Sequence, residues 1–263
     1  MFLQWHRIKA VMLRNILTER RSIMRLADFF YWPMLDITLW GLTSTWVQHT
    51  HAGNNLMTQT IMTGLVLWQV VMRAGYELSI GTIEELWSRS IINLFSTPLK
   101  VGEWVAALML NGLLKSIAVL LFGASLVKLL YGINIFSIGF IIVALTMLLI
   151  MSGWAIGLCG AAMIIHWGQR VQSLPWIIAF LFAPFSAVFY PLSILPSWLQ
   201  KACLMLPMTH VFEASRTIIA TGTIPYHNII AALILNCCYL TGALILLFTL
   251  FEKSRAKGLS RLE

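Results

Sequence analysis

The chain has 263 residues, of which 59% are hydrophobic and only 11% are charged, and its mean hydropathy is +0.82. Because a soluble domain carries about 25% charged residues, this composition excludes an ordinary soluble protein and predicts an all-α membrane protein. The net charge of +8 does not indicate a nucleic-acid partner, since the lysines and arginines lie beside the ends of apolar segments.

Six apolar segments are long enough, at about 20 residues or more, to cross a bilayer. They cover residues 27–48, 56–75, 104–127, 136–165, 171–190 and 227–251. Lysine and arginine are concentrated in the N-terminal arm, in the connection after the second segment and in the C-terminal tail, whereas the connection after the first segment has none. The positive-inside rule therefore predicts six transmembrane helices with both termini in the cytoplasm.

Residues 3–24, before the first span, are predicted to form an amphipathic helix that lies in the membrane interface. A basic helix with tryptophan and aliphatic residues on one side is typical of such a position. The alternative is a solvated basic arm. The apolar residues that recur at three-to-four-residue spacing are Trp5, Ile8, Val11, Met12 and Ile16.

The first span carries a carboxylate, Asp36, with Trp32 and Trp40 four residues away on either side. These three residues share one helix face. A carboxylate inside a span is expected to face protein or water, so they are candidates for a substrate path. The alternative is that Asp36 lies near the interface and pairs with a polar neighbour. Lys115 in the third span also needs a partner, and Asp36 is one candidate.

The fourth span is rich in small residues, and Gly153 and Gly157 form a G-x-x-x-G pair. Such a pair lets two helix backbones approach closely. The pattern favours packing inside the chain over a seam between two copies.

The connection at 80–98 is too polar to span and is expected to hold a short cytoplasmic helix. Thr82 is expected to cap this helix, with Glu84 and Glu85 in its first turn, and Pro98 is expected to end it. The helix is predicted to serve as a docking surface for a soluble partner, or else to lie on lipid headgroups. Its apolar side is Ile83, Leu86, Trp87 and Ile91.

Residues 190–216 follow an apolar span but contain three prolines, at Pro191, Pro196 and Pro207. Proline interrupts a helix, and unpaired backbone in lipid costs several kcal/mol per group. We therefore predict a broken re-entrant or interfacial segment that is shielded by the rest of the protein.

This segment resembles the signature near the end of type-2 ABC exporter permeases, which runs roughly Pro-Leu, Leu-Pro-x-Trp-Leu-Gln, Pro-x-Thr-His and Glu-Ala-x-Arg. The connection at 80–98 is similar to the coupling region of that family, a short Glu-containing helix that ends in Ser-x-Pro, here Ser96-Thr97-Pro98. The resemblance covers nearly the whole chain. The matching residues of the signature are Pro191-Leu192, Leu195-Pro196-Ser197-Trp198-Leu199-Gln200, Pro207-Met208-Thr209-His210 and Glu213-Ala214-Ser215-Arg216.

The resemblance implies that residues 1–263 form a single transmembrane permease domain in the inner membrane of a bacterium. Such permeases form dimers, here expected to be a homodimer, and they export cargo, here expected to be amphipathic, drug-like, lipid-like or glycan. A separate ATP-binding cassette subunit would bind ATP and Mg, because this chain has no G-x-x-x-x-G-K-[ST] loop. No catalytic residue, metal or cofactor is expected in the chain itself.

The resemblance also assigns roles to residues. The broken segment is expected to form short re-entrant helices that help to gate the exit near the outer face, with His210 in a structural role. The residues expected to contact the ATP-binding subunit are Glu84, Glu85, Trp87 and Arg89. Those assigned to the outer gate are Pro191, Pro196, Trp198, Pro207, His210, Glu213 and Arg216.

Two other functions remain as alternatives. Glu84, Glu85 and Arg89 fit the Glu-Glu-x-x-x-Arg signature of CAAX-type intramembrane proteases, whose carboxylates serve acid–base chemistry or metal binding. That chemistry needs histidine partners, but the only His-x-x-x-Asn match, His51 to Asn55, is expected on the opposite membrane face. The other alternative, a passive channel, would need no docking helix.

Overall fold

The computed structural model describes residues 4–51, 55–88, 90–171 and 173–256, and all regular structure within these ranges is helical. Short 3-10 turns precede α6, α7 and α8. The helices are α1 (Trp5–Arg20), α2 (Ile23–His51), α3 (Asn55–Trp87), α4 (Ile91–Ser96), α5 (Val101–Tyr131), α6 (Ile141–Trp167), α7 (Leu174–Phe185), α8 (Ser197–Cys203), α9 (Pro207–Thr221) and α10 (Tyr226–Ala256).

Three helices, α5, α6 and α10, are long and apolar enough to cross a membrane. They contain 31, 27 and 31 residues, so each exceeds the hydrocarbon thickness of about 30 Å at 1.5 Å per residue. Helices α2 and α3 are also long, with 29 and 33 residues, but they are less apolar than α5 and α6. The chain is therefore a helical membrane protein with three candidate spanning helices.

The segment predicted as a span at 171–190 is different in the structure. Helix α7 has only 12 residues, which reach about 18 Å and are too short to cross a membrane alone. The helix ends at Phe185, and Ala187 adopts a φ of 54°, a left-handed conformation that is uncommon for alanine. The side chains that hold this turn come from α9, which sequence periodicity does not reveal.

Helix α3 extends further than the sequence predicted and includes the first eight residues, 80–87, of the separate helix expected at 80–98. Thr82 does not cap a helix; it lies inside α3 and its Oγ1 donates to the Leu78 carbonyl at 2.7 Å. Ile83 and Leu86 are buried and pack with Ile164 of α6, which extends α3 through Trp87. Only the six-residue α4 follows.

Helix α1 begins and ends within the predicted range 3–24 and packs alongside α5. At one end the Gln4 N–H donates to Glu103 Oε1 at 2.9 Å, and at the other end Glu19 pairs with Lys115. Because residues 103 and 115 lie about 18 Å apart along α5, α1 runs beside α5 instead of crossing it at a right angle. The buried residues of α1 are Ile8 and Val11.

The closest helix contact in the fold joins α3 to α6 through three glycines. A Cβ added to Gly75 would lie 2.9 Å from the Gly153 carbonyl oxygen, and a Cβ added to Gly157 would collide with the Gly75 backbone. The predicted G-x-x-x-G pair therefore packs inside the chain. It lets α6 approach α3, whose residues from Met62 to Trp68 are all buried.

Replacing Gly157 with Ala is expected to destabilise the protein, because the new methyl group meets the backbone of Gly75. Overpacking of this kind costs about 1–3 kcal/mol, so the thermal midpoint Tm of the detergent-solubilised protein should fall. The matched control is Gly242→Ala on α10, where an added Cβ has no described neighbour within 4 Å. Equal Tm values for the two variants would contradict the close contact.

Candidate functional site

A cavity of about 460 Å³ lies where α1, α2, α3 and α5 meet, near the C-terminal end of α3. Phe29, Phe30, Tyr76 and Ile80 form its apolar walls. A group of charged side chains in an otherwise apolar chain marks a candidate functional site. The charged residues that line it are Arg14, Glu19, Arg25, Asp28, Arg73, Glu77, Glu84, Glu85 and Lys115.

Two ion pairs attach α1 and α2 to the last turns of α3. Arg14 of α1 pairs with Glu85, which is only 7% exposed, and Arg25 Nη1 of α2 lies 3.1 Å from Glu84 Oε2. Burial lowers the pKa of Arg14 and raises the pKa of Glu84, an effect that Arg25 opposes. Because Glu85 is buried, loss of Arg14 would leave a charge without compensation.

Lys115 of α5 lies between two carboxylates in the same cavity. Its Nζ is 2.5 Å from Glu77 Oε2 on α3, and it also pairs with Glu19 of α1. Glu77 is only 5% exposed, so the pair is largely out of water. Asp36, the partner that the sequence suggested, does not take this place, because it accepts a hydrogen bond from Gln69 Nε2 at 2.6 Å.

The residues predicted to contact an ATP-binding subunit have different environments. Glu84 and Glu85 are engaged in the ion pairs described above, whereas Trp87 ends α3 with 59% of its surface exposed. Arg89 lies outside the described residues. The exposed surface therefore begins at Trp87, and it continues through Ser88, Asn93, Ser96, Thr97 and Pro98.

Trp32, Asp36 and Trp40, the predicted substrate path, each have different contacts. Trp32 is exposed, and its Nε1 donates to Asp28 Oδ1 at 2.7 Å. Trp40 stacks on Phe189, with ring centroids 4.8 Å apart and planes 13° apart. Of the described residues that line the cavity, none belongs to the predicted path. The stacking of Trp40 on Phe189 joins α2 to the segment after α7.

The prolines divide residues 190–216 into short helices, as the sequence predicted. Pro191 precedes a 3-10 turn, Pro196 precedes α8, and Pro207 is the first residue of α9, where proline is well tolerated. Trp198 projects from α8 with 70% of its surface exposed. The segment is thus a chain of short helices whose starts are set by proline.

Glu213 and Arg216 of α9 hold the turn between α7 and α8. Arg216 Nη1 donates to Glu213 Oε1 at 2.7 Å, and its Nη2 donates to the carbonyls of Val188, at 3.0 Å, and Ala187. Glu213 Oε1 also accepts from the Leu192 N–H at 2.8 Å. Burial lowers the pKa of Arg216, and Glu213 opposes this shift. One ion pair thereby satisfies three backbone groups of a non-helical turn.

His210 and Thr209 connect α9 to the ends of the preceding helices. His210 Nε2 lies 2.9 Å from the Leu204 carbonyl oxygen at the end of α8, and Thr209 Oγ1 donates to the Phe185 carbonyl at 3.3 Å. Both contacts bring side chains to terminal carbonyls that lack a helical partner. They are the contacts expected of residues with a structural role.

Sequence reasoning missed the meeting of Glu19 with Lys115 and of Arg25 with Glu84. A signal existed, because each of these charges lies in or beside an apolar stretch, where an unpaired charge is costly. It did not identify which charges meet. Over the described ranges, no group of three or more histidine, cysteine, aspartate or glutamate residues is arranged to hold a metal ion.

A comparison with models of protein families and with curated proteins finds no match for the chain.

Replacing Lys115 with Met is expected to destabilise the protein by about 3–5 kcal/mol, because Glu77 would stay buried without its cation. The measurement is the thermal midpoint Tm in detergent. Adding Glu77→Gln to the same chain removes the orphaned charge and should recover part of the loss. A Lys115→Met variant with unchanged Tm would show that the lysine is not paired in the folded protein.

Replacing Arg216 with Met should lower the unfolding free energy by about 3 kcal/mol, since it leaves Glu213 and two carbonyls without their donor. The chain offers a matched control in Arg255, which also pairs with a glutamate three residues earlier, at 3.7 Å, but with side chains 67% and 66% exposed. Arg255→Met should change stability by less than about 0.5 kcal/mol. Similar losses in both variants would refute the role of Arg216 in holding the turn.

Proposed function

We propose that the chain is the transmembrane permease subunit of an ATP-driven ABC exporter of the type-2 family, and that it moves an amphipathic, drug-like, lipid-like or glycan cargo across the inner membrane of a bacterium. The observation that carries the proposal is the contact between separate parts of the signature. Glu213, in the Glu-Ala-x-Arg part, accepts the N–H of Leu192, in the Pro-Leu part, and pairs with Arg216. A chance match would not be expected to converge on one turn.

The proposed membrane arrangement keeps the even number of crossings that the charge distribution indicates. Helices α2, α3, α5, α6 and α10 make five of them. The segment between α6 and α8, which contains the short α7, makes the remaining one and leads into α8 and α9 at the outer face. In this arrangement α8 and α9 are the re-entrant elements that gate the exit.

The proposed partner is a separate ATP-binding cassette subunit that binds ATP and Mg, with two permease chains in a homodimer. Its contact surface on this chain is Trp87 together with Asn93 and Ser96 of α4, because these side chains are exposed while Glu84 and Glu85 are paired internally. Closure of the partner on ATP would push on the end of α3. The ion pairs to Arg14 and Arg25 would pass that push to α1 and α2 and so bias two arrangements of the helices.

The structure offers no specific support for the protease alternative. Glu84 and Glu85 each face an arginine across an ion pair. Of the described residues that line their cavity, none is a histidine, the partner that the protease chemistry needs. A passive channel would leave the exposed surface at Trp87 without a role.

The test is a gentle-detergent pull-down of the chain from native membranes, with the eluate assayed for vanadate-sensitive ATPase. Trp87→Ala is expected to lower the retained ATPase about tenfold, because a tryptophan in an interface commonly contributes that much. Trp198→Ala removes another exposed tryptophan at the proposed outer face, so it should keep the ATPase and lower export.

Three outcomes would count against the proposal. They are an eluate without ATPase from folded protein, an unchanged ATPase after Trp87→Ala, and an equal loss of ATPase in both tryptophan variants. Unfolding is excluded by comparing the Tm of each variant with that of the wild type.

A further inference from the structure

The charges that line the cavity are almost balanced. Four basic side chains, Arg14, Arg25, Arg73 and Lys115, face five acidic ones, so the formal sum is 4 − 5 = −1. A ligand with a net negative charge therefore gains little from the cavity as a whole. A ligand that carries both charges can gain from each sign, provided that a cation and a carboxylate are available to it.

Two of these side chains remain available. Arg14, Arg25 and Lys115 are paired with carboxylates, but among the described residues no carboxylate lies within 4.0 Å of Arg73 and no cation lies within 4.0 Å of Asp28. The Arg73 guanidinium instead lies over the ring of Phe29, at 4.6 Å from the centroid, and its Nη2 donates to the Phe29 carbonyl at 3.5 Å. Within the described residues, the one side-chain hydrogen bond that Asp28 accepts is from the Trp32 N–H noted above.

In the proposed arrangement α3 crosses the membrane, and the position of Arg73 along it then places the cavity near one membrane surface. The first 20 residues of α3, from Asn55, reach about 30 Å, which is the thickness of the hydrocarbon core. Arg73 lies at the end of this stretch, and every charged residue of α3 lies at or beyond it. This is the depth at which lipid headgroups meet a protein.

An aromatic wall connects the cavity with the apolar part of the helices. Phe30 packs edge-on against Phe29 on one side and against Phe122 of α5 on the other, both at 4.9 Å between centroids. Phe122 is two turns beyond Lys115 on the same face of α5, about 10 Å further along the helix. A charged chamber thus continues into an apolar surface.

From these observations we propose that the cavity binds the zwitterionic headgroup of an amphiphile, with a phosphate at Arg73 and an ammonium group at Asp28. The hydrocarbon tail would lie along Phe30 and Phe122. Arginine suits phosphate because its planar fork donates two parallel hydrogen bonds. The volume of about 460 Å³ lies in the range of about 300–1,000 Å³ that is usual for small-molecule sites. The binding of a zwitterion rests on these contacts, whereas the depth of the cavity and the interpretation of the amphiphile as exported cargo rest on the proposed function.

The test is native mass spectrometry of the full chain in detergent, with lipids of identical chains added in turn. The probes are phosphatidylethanolamine, phosphatidylglycerol and diacylglycerol. We expect phosphatidylethanolamine to be retained most, because it alone carries both charges. Equal retention of the three lipids, or preferred retention of phosphatidylglycerol, would overturn the proposal. The assay contains no ATPase, so its result is independent of the pull-down.

Two variants test which side chains bind the phosphate and the ammonium group. Arg73→Gln should lower retention of phosphatidylethanolamine about tenfold through the lost charge-assisted hydrogen bonds. Asp28→Asn should instead remove the preference for phosphatidylethanolamine over phosphatidylglycerol while keeping the phosphate contact. If Arg73→Gln does not fold, Asp28→Asn alone still tests whether the headgroup binds in the cavity. The matched control is Arg170→Gln, which makes the same change at an exposed arginine outside the cavity. Retention that falls equally in Arg170→Gln and Arg73→Gln would overturn the assignment.

Competition with soluble phosphoethanolamine distinguishes the two sources of the headgroup. Displacement of the lipid by the soluble compound supports the headgroup contacts and identifies a free zwitterion as a sufficient ligand. Retention of the lipid in the wild type, with loss in Arg73→Gln and no displacement, supports a membrane lipid as the ligand.

Discussion

A lysine in the middle of an apolar helix constrains the arrangement of everything around it. Lys115 lies on α5, one of the three helices apolar enough to cross a membrane, and an ammonium group there is costly unless it is neutralised. Glu77 of α3 and Glu19 of α1 provide the charge. To bring both carboxylates to one nitrogen, α1 must run beside α5 and the polar end of α3 must face α5. The charged cavity results from this requirement.

The cost of an unpaired buried polar group also constrains the turn between α7 and α8. Between α7 and α8 the backbone leaves the helix, and its carbonyls need donors in surroundings with little water. Arg216 supplies them, and Glu213 both neutralises the arginine and accepts the Leu192 N–H. In both places a buried charge is tolerated because it is paired, and the cation of each pair has a further partner. A buried ion pair with the same separation but no further contacts would stabilise the folded protein less.

The two charged regions are joined through α2. Near its start Arg25 pairs with Glu84 of α3, and further along Trp40 stacks on Phe189 of the turn that Arg216 holds. Contacts through α2 therefore connect the end of α3 with the turn before α8. The coupling proposed for an exporter would pass a movement of α3 along these contacts. The contacts show a route; two populated arrangements of α2 would be the evidence that it is used.

The sequence by itself determined the helical membrane class, the breaks at Pro191, Pro196 and Pro207, and the internal role of Gly153 and Gly157. These features depend on local chemistry: hydrophobicity over about 20 residues, a missing backbone donor, and a missing Cβ. Local propensity also suggested a helix start at Thr82, which was wrong. Buried contacts of Ile83 and Leu86 with Ile164 carry α3 past that point, and propensity is a weak prior against packing.

Only the tertiary structure decided which charges meet. The sequence offered Asp36 as one candidate partner for Lys115, but Asp36 accepts a hydrogen bond from Gln69 instead. Coulomb attraction depends on separation in space, which residue numbers do not provide. The shortening of α7 is a similar case, because the donors that stabilise its end come from Arg216, about thirty residues later in the chain. Composition and spacing thus determine the elements, and long-range packing decides where the charges of those elements form a site.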